Sequence, residues 1–264
     1  MSIIKAFLYT LLAFVFWTIL QLSILLPIKY FIGEPGDITH IFGITRIISV
    51  VGAFLLIFFY FWKPRFDLKK ALKIKNYNPR VYLYLPLVGI GLLLLNRPFW
   101  DFTKILNYYQ DNSIYVNSII ATNNIALFYN LISTILIAPV FEELFYRRFL
   151  LEKLSNRYNP NLSIIISSLC FSIMHIETPN NLIPTFISGI IFGIIYIKTK
   201  KIGYSIMLHF FVNLIIFSTN NIEASYDNWL IGYNFNIMYW LLSGIGMFLM
   251  LIGMKKITTT VRKS

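Results

Sequence analysis

The stretch NIALFYNLISTILIAPVFEELFYRR, residues 124–148, decides how this chain folds. From Asn124 to Phe141 it holds no charged side chain, and then two glutamates, Glu142 and Glu143, stand side by side. An ionised carboxylate at the centre of a bilayer costs about 2.5 to 3.5 kcal/mol on insertion scales. Two in succession are tolerated only where they face protein or a watery cavity. The apolar run therefore predicts a membrane helix, and the glutamate pair marks a functional site on it.

The remainder of the chain agrees. Of its 264 residues 57% are hydrophobic and 17% aromatic, and only 13% are charged, where soluble domains run near 25% charged. Mean hydropathy is +0.68. The net charge of +12 does not point to nucleic acid, because the basic residues fall between apolar segments instead of along one face. The single cysteine, Cys170, lies within an apolar run, which excludes a disulfide framework or a thiolate metal site within one chain. Met1 to Ile28 resembles a secretory signal, but its apolar part is longer than a typical signal core and no small-residue cleavage site follows. It reads as a retained first transmembrane helix.

A spanning helix needs about 20 mostly apolar residues. Eight segments qualify: 6–28, 41–62, 81–96, 124–147, 162–178, 182–197, 202–218 and 236–254. Asn96-Arg97-Pro98 is read as the end of the third, and residues 99–109 as an amphipathic helix lying in the interface. Alternating the eight puts 19 Lys and Arg on the side of the N-terminus and 3 on the other, with Arg46 inside the second segment. By the positive-inside rule both termini are cytoplasmic. The basic connection from Lys63 to Arg80 reads as lipid-headgroup contact and topology setting. The expected fold is an all-α polytopic membrane protein of about eight transmembrane helices. It forms a single integral-membrane domain over 1–264 with a motif-bearing core over 124–218.

The polar residues of that core are expected to meet. The turn at Arg157-Tyr158-Asn159-Pro160 makes the fourth and fifth segments an antiparallel pair. Glu142 and His175 lie at similar distances from it, ~25 Å at 1.5 Å per residue. His209 lies ~12 Å from the Lys198–Lys201 turn, so all three share one level if the first hairpin projects ~10 Å further. That predicts a pocket in the cytoplasmic half of the membrane, opening to the cytoplasmic side. Glu143 and Arg147 are four apart and can pair on one helix face. Glu142 is rotated about 100° from Glu143 and is left to point at a reacting centre. His209 and Asn213 are also four apart, as are Phe171 and His175.

A carboxylate beside imidazoles and an amide suits activation of water, the glutamate taking its proton while His and Asn donate to an oxyanion. Glu142, His175 and His209 also suit Zn²⁺ with water in its open position. The sequence leaves both chemistries open.

Glu142-Glu143-Leu144-Phe145-Tyr146-Arg147 matches an EExxxR pattern, Phe171 to His175 an FxxxH pattern and His209 to Asn213 an HxxxN pattern. In this order they resemble the CPBP family, the CAAX-protease and bacteriocin-processing membrane proteins also called Abi. The likeness covers about residues 125–217. It implies an intramembrane endopeptidase in a bacterial plasma membrane, acting on a membrane-associated protein or peptide. Some members remove the last three residues of prenylated proteins, and others serve bacteriocin maturation and immunity or act as scaffolds. By the resemblance Glu142 is the general base, and Glu143 and Arg147 assist it or are structural. His175, His209 and Asn213 stabilise the intermediate or, in a metalloprotease description, supply ligands.

Simpler readings stand beside these. A lone membrane Asn or His is often interhelical glue, and Cys170 is a small buried hydrophobe. Arg46 snorkels or pairs with a buried acid, His40 is exposed, and Gly189 with Gly193 marks close helix packing. Rival functions are a non-catalytic scaffold or immunity protein of the same fold, and a proton-relaying transporter. The transporter would show paired halves or matching broken helices, which this sequence lacks.

Overall fold

The computed structural model describes residues 1–32, 39–62, 72, 77–111, 124–221 and 234–262. Every regular element among them is helical, and no strand occurs. The helices are α1 (Ile3–Ile32), α2 (Thr39–Phe61), α3 (Pro79–Trp100), α4 (Phe102–Asp111), α5 (Asn124–Ser155), α6 (Pro160–Ile173), α7 (Pro179–Thr199), α8 (Ile202–Asn221) and α9 (Ile237–Arg262). A helix stands at each of the eight apolar segments, and the amphipathic segment forms α4. Among the described residues six helices are long and apolar enough to cross a membrane, while α6 and the apolar part of α8 are shorter. The protein is thus an all-α polytopic membrane protein. The connection from Lys63 to Arg80 lies largely outside the described residues.

Local sequence sets the ends. Asn159 accepts from the Leu162 amide at 2.8 Å with Pro160 at the first helical position, which starts α6 sharply. Lys200, left-handed at φ 53°, closes α7. The third segment does not stop at Asn96. Pro98 is accommodated in the last turn, and α3 runs on to Trp100. Its end is pinned by buried Asp101, which accepts from Arg97 Nε at 2.6 Å and from the Tyr239 hydroxyl of α9 at 2.9 Å.

The α6 helix departs most from expectation. It has 14 residues, about 21 Å at 1.5 Å per residue, against a hydrocarbon core of ~30 Å. Thr178, ahead of Pro179, is driven to φ −125°, ψ 83°, because the proline ring excludes the helical region for the residue before it. The chain turns early, and His175 lies in that turn instead of within a membrane-length helix.

Close packing fixes the frame. A Cβ on Gly91 of α3 would stand 2.6 Å from the Met250 amide nitrogen of α9, and one on Gly246 would stand 2.6 Å from the Leu95 nitrogen. The two backbones therefore touch, the role small residues take in membrane helices. Gly189 and Gly193 likewise bring α7 against Ser168 and Ile164 of α6.

The bundle has two chemically distinct ends. At one, the Met1 ammonium and the Lys153 side chain tie α1, α5 and the end of α2 together. The Tyr196 hydroxyl donates to Glu152, and the Tyr204 hydroxyl bonds Asn78. This end gathers Lys5, Lys153, Arg157 and Lys198 to Lys201. The opposite end holds the turns around Asp101 and from Met174 to Asn181.

Candidate active site

The α5 helix is not regular. Residues Leu131–Ile137 and Leu144–Leu151 are wound as π-helix on either side of Ala138–Glu143, and such wider turns concentrate at functional sites. The first has a local cause. The Ala138 amide reaches back five residues to Ser133 O, and Pro139, the five-back donor for Thr134 O, has no N–H. The Thr134 carbonyl is left over, and the Asn213 side-chain amide of α8 donates to it at 2.8 Å. In the second, the Tyr146 carbonyl accepts from the Ser167 hydroxyl of α6 at 2.7 Å. Each irregular stretch is thereby fastened to a neighbouring helix with its backbone groups paired.

Between them the glutamates face different ways. Glu143 is fully buried. Its Oε2 accepts from Arg147 Nε at 3.1 Å, and its Oε1 lies 3.2 Å from His209 Nδ1. Arg147, also fully buried, reaches the Ser167 hydroxyl at 3.4 Å with Nη1. Its Nη2 has no hydrogen-bond partner among the described residues. The guanidinium instead lies 5.1 Å from the Phe171 ring and 5.7 Å from Phe192, where ring electrons offset part of the lost hydration. The same rings flank His209, Phe192 at 5.0 Å and Phe171 edge-on at 5.7 Å. This imidazole is therefore fixed on both faces.

Glu142 has no such cage. Its side chain is 19% exposed, and its Oε2 lies 3.8 Å from His209 Nε2. It lines a cavity of about 990 Å³ together with His175, His209 and Asn213. Glu143 and Arg147 stay behind the wall. His175 turns Nδ1 to the Phe171 carbonyl at 3.1 Å, and its ring packs on Phe171 at 5.1 Å. Of the six expected site residues, four border the cavity and two support it from within the protein.

The level of the site follows from helix counts. Glu142 is 13 residues before Ser155, and His209 is 8 past Lys201. Their contact requires the α5–α6 turn to project ~8 Å beyond the α7–α8 turn, close to the expected offset. The cavity reaches toward the other end of the bundle. The cavity walls include Trp100, Glu177, Thr178 and Asn181 from the turns opposite the basic end, and none of the basic turn residues. Early termination of α6 leaves space above His175, on the side away from the basic turns.

Among the described residues no three His, Cys, Asp or Glu side chains are grouped closely enough to hold a metal ion. Several contributors carry no warning in the sequence. Ser167, Phe192 and Thr134 act through a hydroxyl, a ring and a backbone carbonyl that only the helix packing brings in. Arg46 lines the cavity and donates to Asn130 Oδ1 at 3.2 Å, an amide instead of the expected acid. His40 is exposed and pairs with the Tyr129 hydroxyl at 3.1 Å.

Residues 124–215 match the family model described as type II CAAX prenyl endopeptidase Rce1-like, the family that the three motifs resemble. An uncharacterized protein of Mycoplasma capricolum subsp. capricolum is 39% identical over 88 residues, 32% of this chain and 25% of that one. The match spans about a quarter of that relative's length. No solved structure matches the chain.

Proposed function

With the Rce1-like match over residues 124–215 as premise, we propose that the protein is an intramembrane endopeptidase that hydrolyses a peptide bond of a membrane-associated protein or peptide. The observation that carries this reading is the placement of Glu142. It is the one glutamate of the pair that lines the cavity, and it stands 3.8 Å from the Nε2 of an imidazole whose Nδ1 is already held. That gap is too long for a direct hydrogen bond, and one water set beside it in the cavity can reach both the carboxylate and the ring.

In the proposed reaction Glu142 takes one proton from this water while its oxygen adds to the peptide carbonyl carbon. The C=O electron pair moves onto oxygen, and a donor must meet the charge. Asn213 spends one amide hydrogen on Thr134 O and has a second to offer, whereas the His175 ring, which borders the same space, already directs Nδ1 at the Phe171 carbonyl and donates only as imidazolium. On collapse the C–N bond breaks, and Glu142 returns the proton to the leaving nitrogen. The products are a carboxylic acid and an amine. Glu143 and Arg147 are positioning residues, and they hold His209 in one tautomer and orientation. A positioned general base contributes about 10²- to 10⁴-fold, and an oxyanion donor about 10²- to 10³-fold.

The basic end, with its excess of Lys and Arg, belongs in the cytoplasm, so the cavity takes substrate from the opposite face. The test is cleavage by the purified chain in liposomes. Glu142→Gln is expected to lower turnover at least ~10²-fold with unfolding temperature retained. Activity is expected to persist in EDTA and 1,10-phenanthroline. Stoichiometric zinc whose removal abolishes activity would replace this mechanism with a metal one. Full biological activity in Glu142→Gln would instead favour a scaffold or immunity role.

A further inference from the structure

Arg46 is the cavity residue that hydrolysis at Glu142 leaves unused. It is the one Asp, Glu, Lys or Arg in α2, and an arginine inside an apolar helix needs water, protein or a ligand to face. Its polar partner is the neutral Asn130 amide, and among the described residues no carboxylate pairs with it. It is exposed to the space it lines. Two cavities meet there: the one of about 990 Å³ that reaches Glu142, and a second of about 690 Å³ between α1, α2 and the start of α5. Trp17, Arg46, Asn130 and Glu177 border both. The guanidinium thus presents most of its planar donor fork at the junction, and that fork matches carboxylate geometry.

The distance to the reacting centre suits a peptide. Asn130, which Arg46 touches, is 12 residues before Glu142 on the same helix, at most about 18 Å at 1.5 Å per residue, since the wider π turns between them rise less. An extended chain covers that in about five residues at ~3.4 Å each. Resting on the reading of Glu142 given above, we propose that Arg46 receives the C-terminal carboxylate of the peptide cut there, so that the released fragment is about five residues long. Glu177 borders the same junction and opposes an incoming anion, so it sets the selectivity of this site against Arg46.

The test uses the full chain in phosphatidylcholine nanodiscs, so that the peptide supplies the only carboxylate and no anionic lipid competes. Peptides of varied sequence are made in pairs, as C-terminal acid and as C-terminal amide, and products are read by mass spectrometry. The acid of a cleaved pair is expected to be cut about 10- to 100-fold faster in kcat/KM, releasing fragments near five residues. Arg46→Gln is expected to bring the acid-to-amide ratio near 1, Arg46→Lys to keep part of it, and Glu177→Gln to raise it. A wild-type ratio near 1, or a ratio that Arg46→Gln leaves unchanged, overturns the proposal. Binding to the Glu142→Gln protein separates it from the hydrolase reading, using tryptophan fluorescence, since Trp17 and Trp100 line the cavity. Acid-selective binding that Arg46→Gln abolishes, in a protein whose wild type cuts nothing, sinks hydrolysis and keeps the carboxylate site. Equal binding of acid and amide sinks the carboxylate site whatever is cleaved.

Discussion

Oε1 of Glu143 lies 3.2 Å from Nδ1 of His209, and this contact separates the duties of two adjacent glutamates. With Arg147 on its other oxygen, Glu143 is spent on structure, whereas Glu142 faces the cavity. Substituting the two must therefore have different consequences. Glu143→Gln leaves a buried guanidinium without its counter-charge and is expected to cost about 3–5 kcal/mol. Glu142→Gln, partly exposed and outside that pair, is expected to cost less than about 1 kcal/mol. Unfolding of the detergent-solubilised protein, followed by intrinsic fluorescence, decides this. Equal destabilisation by both would refute the division.

The part of this arrangement legible in the sequence was the part set by composition and helical spacing. Eight apolar segments were visible because lipid exposure demands long runs without charge. The Glu143–Arg147 pair followed from a separation of four residues, and the meeting of Glu142 with His209 from counting back to two turns. What depends on single backbone hydrogen bonds was not visible. After Ile173 the chain passes into i→i+3 turns ahead of Thr178 and Pro179, which takes His175 off its helix. Pro139, inside an apolar run, gave no hint that Thr134 O would need Asn213. The partner of Arg46 lies on a helix 84 residues away, and no local pattern ties them.

The Thr134 carbonyl provides a second test. Asn213→Ala removes its donor and is expected to destabilise the protein by about 0.5–1.5 kcal/mol, the net worth of one hydrogen bond, since Thr134 is half-buried against the cavity. Pro139→Ala restores an N–H at the position five residues on from Thr134. The double variant Asn213→Ala with Pro139→Ala should then lose less stability than the two single losses combined. Strict additivity in this cycle would mean that the proline is not what frees the carbonyl.

Helix packing offers an internally controlled comparison on α9. A Cβ at Gly246 meets backbone and side-chain atoms of α3 at 2.6 Å, while one at Gly244 meets nothing within 4 Å. Gly246→Ala is expected to force α3 and α9 apart and cost about 1–3 kcal/mol. Gly244→Ala should be neutral or slightly stabilising, because alanine lowers the entropy of the unfolded helix. Matching unfolding temperatures for the two variants would show that the backbones do not touch there.

Orientation governs which substrates reach Glu142, and the two ends of the bundle can be distinguished by chemical labelling. The native thiol is fully buried, so Cys170→Ser gives a silent background. Asn180 is exposed in the first turn of α7, on the cavity side, and Asn156 is exposed in the basic turn between α5 and α6. Neither substitution alters a charge, so the distribution that sets topology is preserved. With the basic end in the cytoplasm, Asn180→Cys reacts with a membrane-impermeant maleimide on intact cells. Asn156→Cys reacts only after permeabilisation. The reverse pattern would put the cavity mouth in the cytoplasm against a 19 to 3 excess of Lys and Arg, and would make cytoplasmic C-termini the substrates to test first. Labelling of both sites on intact cells would contradict the two-ended bundle itself, since Asn156 and Asn180 are separated by the full length of α6, about 21 Å.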